Sequence, residues 1–258
     1  MNFRGKVEKY YKEKLAEQGA MLFSLIDPDK FYLETGAAIA KASYENNADV
    51  ILVGGSIGAQ GSVLDETGKM IKDAAPGLPV VLSPGNISGI SQEADAMYFM
   101  HMLNSRDVYW LSTAQIQAAP VIKRIGIEAI PTTYLIIEPG RTVGWIGNAN
   151  VVPRERSDLG AACALAARYT GSHVLITDAG SGAPDHTPVE MIAAIAKQCE
   201  GELLYFNAGG VKTPQQAASC IKAGANGIHV GNAFEETASA EKIKAMAAAI
   251  RAEGKKRV

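Results

Sequence analysis

Asp27, Asp29, Lys30, Ser56, Asn86, Asn104, Glu138, Asp178, Ser181, Asn207 and Asn232 each stand where a short apolar run gives way to a glycine, a proline or a polar turn. Carboxylates placed this way can hold a hard cation or accept a proton. The glycines among them, at 180, 182, 209, 210 and 231, leave backbone N–H groups open to an anion. Together they describe a cradle for one phosphate monoester, bound mainly by backbone donors.

Two carboxylates admit two readings each. Asp27 follows the first apolar run. It suits Mg²⁺, which takes one or two protein ligands and completes its shell with water and phosphate oxygens, and Ser56 on the next strand can add an oxygen. Equally, Asp27 can cap the helix after Pro28, with Ser56 a turn residue. Asp178 can take a proton from a hydroxyl of the bound phosphomonoester, or can serve only to bond the loop amides at Gly180 and Ser181.

The elements that must position these residues alternate along the chain. A leading helix covers residues 7–18. Eight strands are expected at 21–26, 49–53, 79–82, 96–103, 128–138, 173–177, 203–206 and 227–230. Helices follow most of them, and the crossover over 87–95 is too short to require one. Residues 141–150 form a loop after the fifth strand. The strand runs are continuously apolar, as parallel strands covered on both faces must be. After the seventh strand, Gly209-Gly210 makes a turn, and Thr213 with Pro214 reads as a helix start. A second strand ending in glycine, Gly227 to Gly231, comes about twenty residues later. Paired glycine turns at strands seven and eight mark the phosphate site of a (β/α)₈ TIM barrel, and residues 1–258 are expected to form one such domain with an N-terminal leading helix.

Composition agrees. The length, 258 residues, is that of a single barrel, and 47% hydrophobic content marks a globular chain. A net charge of −2 gives no electrostatic case for nucleic acid. No apolar run is long enough to span a bilayer, so any membrane contact is peripheral. The charged amphipathic start lacks a signal-peptide core, and the cytoplasm is the expected location. Cys163, Cys199 and Cys220 share no metal-ligand spacing and read as buried thiols.

The fourth strand, Met97-Tyr98-Phe99-Met100-His101-Met102-Leu103, with Tyr109 and Trp110 after it, could line a long apolar groove or be ordinary core.

The motifs Leu25-Ile26-Asp27-Pro28-Asp29-Lys30, Val53-Gly54-Gly55-Ser56, Leu82-Ser83-Pro84-Gly85-Asn86, Ala179-Gly180-Ser181-Gly182-Ala183 and Val230-Gly231-Asn232-Ala233-Phe234 occur in order over nearly the whole barrel. In them the chain resembles the geranylgeranylglyceryl phosphate synthase family. That resemblance implies transfer of a prenyl diphosphate, geranylgeranyl diphosphate being the expected donor, to the 3-hydroxyl of sn-glycerol 1-phosphate with release of diphosphate. It implies Mg²⁺ on Asp27 and Ser56. It implies glycerol phosphate contacts at Ile176, Thr177, Asp178, Ala179, Gly180, Ser181, Gly182, Gly209, Gly210, Gly231 and Asn232, with Asp178 as the catalytic base. It turns the fourth-strand groove into a prenyl channel. The family usually carries Tyr where Ile176 stands, Glu where Asp178 stands, and a third glycine where Ala208 stands. Larger assemblies in the family use an aromatic residue in the region of Trp145, so this tryptophan is expected in a subunit interface of a dimer or hexamer.

Two other readings use the same strand ends. A phosphosugar isomerase of the histidine-pathway type would pair Asp27 with an acid such as Glu138 and bind a second phosphate near Gly85-Asn86. A non-catalytic phosphometabolite-binding protein would need only the cradle. Substrate size separates the first from prenyl transfer, because an isomerase needs no hydrocarbon groove.

Overall fold

A computed structural model describes residues 5–31, 33–55, 57–235 and 240–258. Eight parallel strands close into one barrel in sequence order: β1 (Met21–Ile26), β2 (Val50–Val53), β3 (Val80–Leu82), β4 (Ala96–Met102), β5 (Glu128–Ile136), β6 (Val174–Asp178), β7 (Leu204–Ala208) and β8 (Gly227–Val230). Closure is made by β1 against β8, with Phe23 opposite His229.

Alternation along each strand sorts side chains into two sets. One set fills the barrel: Phe23, Leu52, Tyr98, Ile130, Ile176 and Phe206 are all buried there. The other set faces the helices, as Leu22, Leu175, Tyr205 and Ile228 do. The leading helix, α1 (Lys6–Gln18), plugs the end where the strands begin. Its Tyr11 ring lies edge-on to Phe23 and Phe206 at 5.5 and 5.8 Å. Glu128, at the start of β5, accepts the Val7 and Glu8 amides at 2.7 and 3.0 Å, capping α1 onto the barrel.

The outer layer is α2 (Glu34–Glu45), α3 (Gly61–Ala74), α4 (Ala114–Ile125), α5 (Arg141–Ile146), α6 (Ser157–Tyr169), α7 (Val189–Cys199), α8 (Pro214–Ala223), α9 (Asn232–Glu235) and α10 (Ala240–Gly254). A π-helical turn, Tyr109–Thr113, leads into α4. The crossover between β3 and β4 carries no helix, so β3 has no covering helix of its own. The three cysteines carry no disulfide; Cys199 and Cys220 are buried and Cys163 is half-buried.

Three of the differences from the sequence expectations bear on the site. Residues 141–150 are not a plain loop, because their first turn and a half is α5. The sixth strand is shifted by one residue, ending on Asp178 rather than before it. The α8 start is capped more completely than expected. The Thr213 hydroxyl accepts the Gln216 amide, while the Gln216 side chain accepts the Lys212 and Thr213 amides. Those donors are therefore spent within the helix cap, and the anion donors must come from the glycine turn before it.

Candidate active site

At the carboxyl ends of the strands two cavities share a wall. The larger, about 510 Å³, runs from Asp27 and Lys30 past β4 to α4. The smaller, about 110 Å³, lies over β6, β7 and β8. Tyr134, Asp178, Ser181 and Asn232 border both.

The small cavity is the cradle. Gly209 and Gly210 have φ of 75° and 74°, a conformation that disfavours side chains. A Cβ on Gly209 would stand 2.4 Å from Asp178 Oδ1, and one on Gly210 would stand 2.2 Å from the Asp185 carbonyl. The turn is thus held close to the β6 loop by two glycines for which nothing else fits. Ser181 Oγ donates to Asn232 Oδ1 at 2.7 Å, tying the loops after β6 and β8 across the cradle. Lys212 also lines it, its ammonium resting on the Pro184 carbonyl at 2.9 Å. His229 forms the floor. Burial lowers its pKa to about 3, so the ring is neutral, packed on Phe23 and Phe206.

Asp178 stands where cradle and groove meet. One carboxylate oxygen accepts the Gly180 amide at 2.6 Å, and the other accepts the Tyr134 hydroxyl. Burial raises its pKa, while these two hydrogen bonds pull it back down. A raised carboxylate pKa makes a stronger base. Tyr134 is the residue sequence reading missed. It sits on β5 directly opposite Ile176, so a phenol reaches Asp178 from the neighbouring strand while position 176 is aliphatic. Ile176 itself is buried beneath the cradle as an apolar wall.

Several expected contacts fall elsewhere. Thr177 has the opposite parity to Asp178, and its hydroxyl bonds Tyr205 and Asn207 in the outer core. Asn207 is fully buried there with it, so neither side chain reaches the cradle. Ala179 is buried and both its backbone groups are taken, by Ala208 and Gly140, so it shapes the turn without offering a ligand group. The Gly180 amide is likewise committed to Asp178. Asn104 clamps the Ile136 and Asn150 carbonyls. Glu138 is exposed, lines neither cavity and accepts the Arg154 amide, which removes the acid an isomerase would need. Asp27, Ser181, Gly182, Gly209, Gly210, Gly231 and Asn232 do line the cavities.

A Mg²⁺ ion fits the Asp27 corner. The carboxylate is largely buried, which raises its pKa, and among the described residues it receives the Asp29 amide at 3.2 Å and the Lys30 ammonium at 3.5 Å. The β2 end packs so tightly on it that a Cβ on Gly55 would lie 2.4 Å from Asp27 Oδ1. Among the described residues no cluster of three His, Cys, Asp or Glu is present. A single carboxylate beside a phosphate-sized cavity suits Mg²⁺, which keeps its waters, better than a metal that needs a full protein shell. Ser56, the expected second ligand, lies outside the described residues.

The groove wall is Met97, Phe99, Met100, Trp110, Ala114 and Ala118, with Ile87 and Ile90 from the crossover. It occupies the place where a helix after β3 would pack. His101 turns away from it, toward Thr133 at 3.3 Å.

A family model described as PcrB matches residues 13–250. The chain belongs to the PcrB family. Among similar proteins, geranylgeranylglyceryl phosphate synthase of Thermococcus gammatolerans is 45% identical over 93% of this chain and 94% of its own. That of Methanosphaera stadtmanae is 47% identical over 90% of this chain and 93% of its own. A solved structure of (S)-3-O-geranylgeranylglyceryl phosphate synthase from Thermoplasma acidophilum, in complex with substrate sn-glycerol-1-phosphate, superposes with a TM-score of 0.90 at 31% identity. It covers 97% of this chain and 100% of that one. The resemblance read from the strand-end motifs is thereby confirmed.

Proposed function

We propose that this PcrB-family chain is a prenyltransferase that joins a prenyl diphosphate, geranylgeranyl diphosphate being the expected donor, to the 3-hydroxyl of sn-glycerol 1-phosphate. The observation that carries this reading is the shared wall of the two cavities. A polar cradle for a small phosphate opens into a long apolar groove, and a buried carboxylate stands at the junction. An isomerase or a simple phosphate binder has no use for the groove.

In this reading the glycine turns and the Ser181–Asn232 bridge hold the phosphate of glycerol phosphate. Its 3-hydroxyl points to Asp178. The Met, Phe and Trp walls hold the hydrocarbon chain and exclude water from the allylic carbon. The oxygen of the 3-hydroxyl bonds to that carbon, the carbon–oxygen bond to diphosphate breaks, and the bonding pair leaves with diphosphate. Asp178 takes the hydroxyl proton, with Tyr134 holding its carboxylate in place. Asp27 would hold Mg²⁺, with Ser56 the second ligand that the family resemblance implies, and the ion would supply charge neutralisation for the departing diphosphate.

Assembly belongs to the same proposal. Trp145 on α5 is 82% exposed, and Trp is enriched among interface anchors. It is the contact through which a dimer or hexamer would form. No helix among the described residues is long and apolar enough to cross a membrane, and the cytoplasm is the compartment this reading fits.

The test is incubation of labelled sn-glycerol 1-phosphate with prenyl diphosphates of increasing length, with and without Mg²⁺. An ether-linked lipid product formed only with the metal is expected, and Asp27→Asn should depress that metal-dependent turnover while the barrel stays folded. Absence of product with every donor would contradict the proposal.

A further inference from the structure

A cation stands at the mouth of the large cavity. Lys30 lines the large cavity beside Asp27. Its Nζ lies 3.5 Å from Asp27 Oδ2, and the side chain is 50% exposed. An ion pair this open adds little to fold stability. The turn beneath it is fixed, because the Lys30 and Phe31 amides both donate to the Asp27 carbonyl, at 3.0 and 2.8 Å. The backbone is held and the charged end is free to swing on its four-carbon stem.

The electrostatics of the mouth demand such a group. Asp27, Asp29 and Asp178 all face the cavity that must admit a polyanion. Among the described residues lining that cavity, the cations are Lys30 and Arg141. Arg141 packs its Cβ against Gly180, on the cradle side. Of these two, Lys30 is the one on the Asp27 side.

We propose that Lys30 is a diphosphate-binding residue. In the resting site its ammonium is the counter-ion of Asp27. When a metal ion takes that carboxylate, two cations compete for it, and the incoming diphosphate accepts the displaced ammonium through charge-assisted hydrogen bonds. As the allylic bond breaks, negative charge grows on the leaving oxygen, and the ammonium stabilises it where it develops. The inference rests on the prenyl-transfer reading.

Calorimetric titration with inorganic diphosphate in the presence of Mg²⁺ tests it directly. Lys30→Gln should bind diphosphate about tenfold or more weakly than wild type, the loss expected for a single charge-assisted contact. Lys30→Arg should recover most of the affinity. Lys41→Gln, which breaks an exposed pair with Glu45 on α2, should match wild type. Mg²⁺ alone should bind Lys30→Gln no more weakly than wild type, since the competing charge is gone. In turnover, Lys30→Gln should raise KM for the prenyl diphosphate and lower kcat while KM for glycerol phosphate holds. Unchanged diphosphate affinity in Lys30→Gln, equal loss for both substrates, or a wild type that binds no diphosphate would each overturn the proposal. A wild type that binds diphosphate but makes no ether product would sink the prenyl-transfer reading and leave the Lys30 assignment decided by the titration.

Discussion

The two ends of this barrel are built on opposite principles. At the end where strands begin, α1 closes the barrel, Tyr11 packs edge-on against Phe23 and Phe206, and Glu128 satisfies the Val7 and Glu8 amides of α1. At the end where strands finish, carboxylates are buried with few partners, glycines hold left-handed turns, and two cavities stand open. One end is made to be stable. The other keeps groups under-satisfied so that a substrate can complete them. The prediction is a clean separation: changes at the closed end should move stability and leave kinetics alone, and changes at the open end should do the reverse.

The largest stability effect is expected at the closed end. Tyr11→Ala empties a fully buried ring site and should cost roughly 3–5 kcal/mol, as other aromatic-to-alanine changes in cores do. Denaturant unfolding measures it, and KM for either substrate should be unchanged where the variant remains folded. A shifted KM would show that the two ends are coupled.

At the open end the sharpest steric probe is Gly231→Ala. Its Cβ would meet Leu25 side-chain atoms at 3.4–3.7 Å, ordinary contact distances, so the barrel accepts it. The added methyl enters the cradle instead. Glycerol phosphate affinity should fall by about tenfold, roughly 1.4 kcal/mol, with the melting temperature and prenyl diphosphate affinity little changed. Loss of both affinities would mean the cradle and groove are not separate compartments.

A smaller effect, in pH rather than rate, tests the Tyr134 contact. A base works only when ionised, so activity is present above the Asp178 pKa and lost as pH falls through it. The Tyr134 hydroxyl lowers that pKa. Tyr134→Phe should therefore move the acid limb of kcat to higher pH. A limb that stays in place would detach Tyr134 from the base.

The smallest kinetic effect is expected at Trp145. Trp145→Ala should yield a smaller particle by light scattering with the single-barrel activity retained. An unchanged mass would remove Trp145 from the interface.

How much of this was legible in the chain divides along the same lines. Strand ends were readable because apolar runs and the glycines at 209, 210 and 231 are local signals: each reports the backbone at its own position. The missing helix over 87–95 was readable from length alone. The site partners were not, because they depend on register between strands. Tyr134 meets Asp178 only because β5 pairs with β6 so that Tyr134 lies beside Ile176. The family resemblance implied a glycerol phosphate contact at Thr177, and Asn207 stood among the strand-end candidates, but side-chain parity turns both outward. The groove could be told from core only once the absent crossover helix and α4 were placed together, since Met and Phe look the same in either role.

The central claim is that the carboxylate between cradle and groove removes the proton. Rates at saturating substrates for Asp178→Asn and Asp178→Glu test it most directly. Asn keeps the shape and loses the acceptor, so kcat should fall by roughly 10²–10⁴-fold, about 3–5 kcal/mol of barrier, with glycerol phosphate affinity little changed. Glu keeps the acceptor, with its extra methylene forced toward the cavity by the Gly209 wall, and should retain activity. An active Asp178→Asn alongside a poor Asp178→Glu would contradict the claim and leave Asp178 as the acceptor that shapes the Gly180 loop.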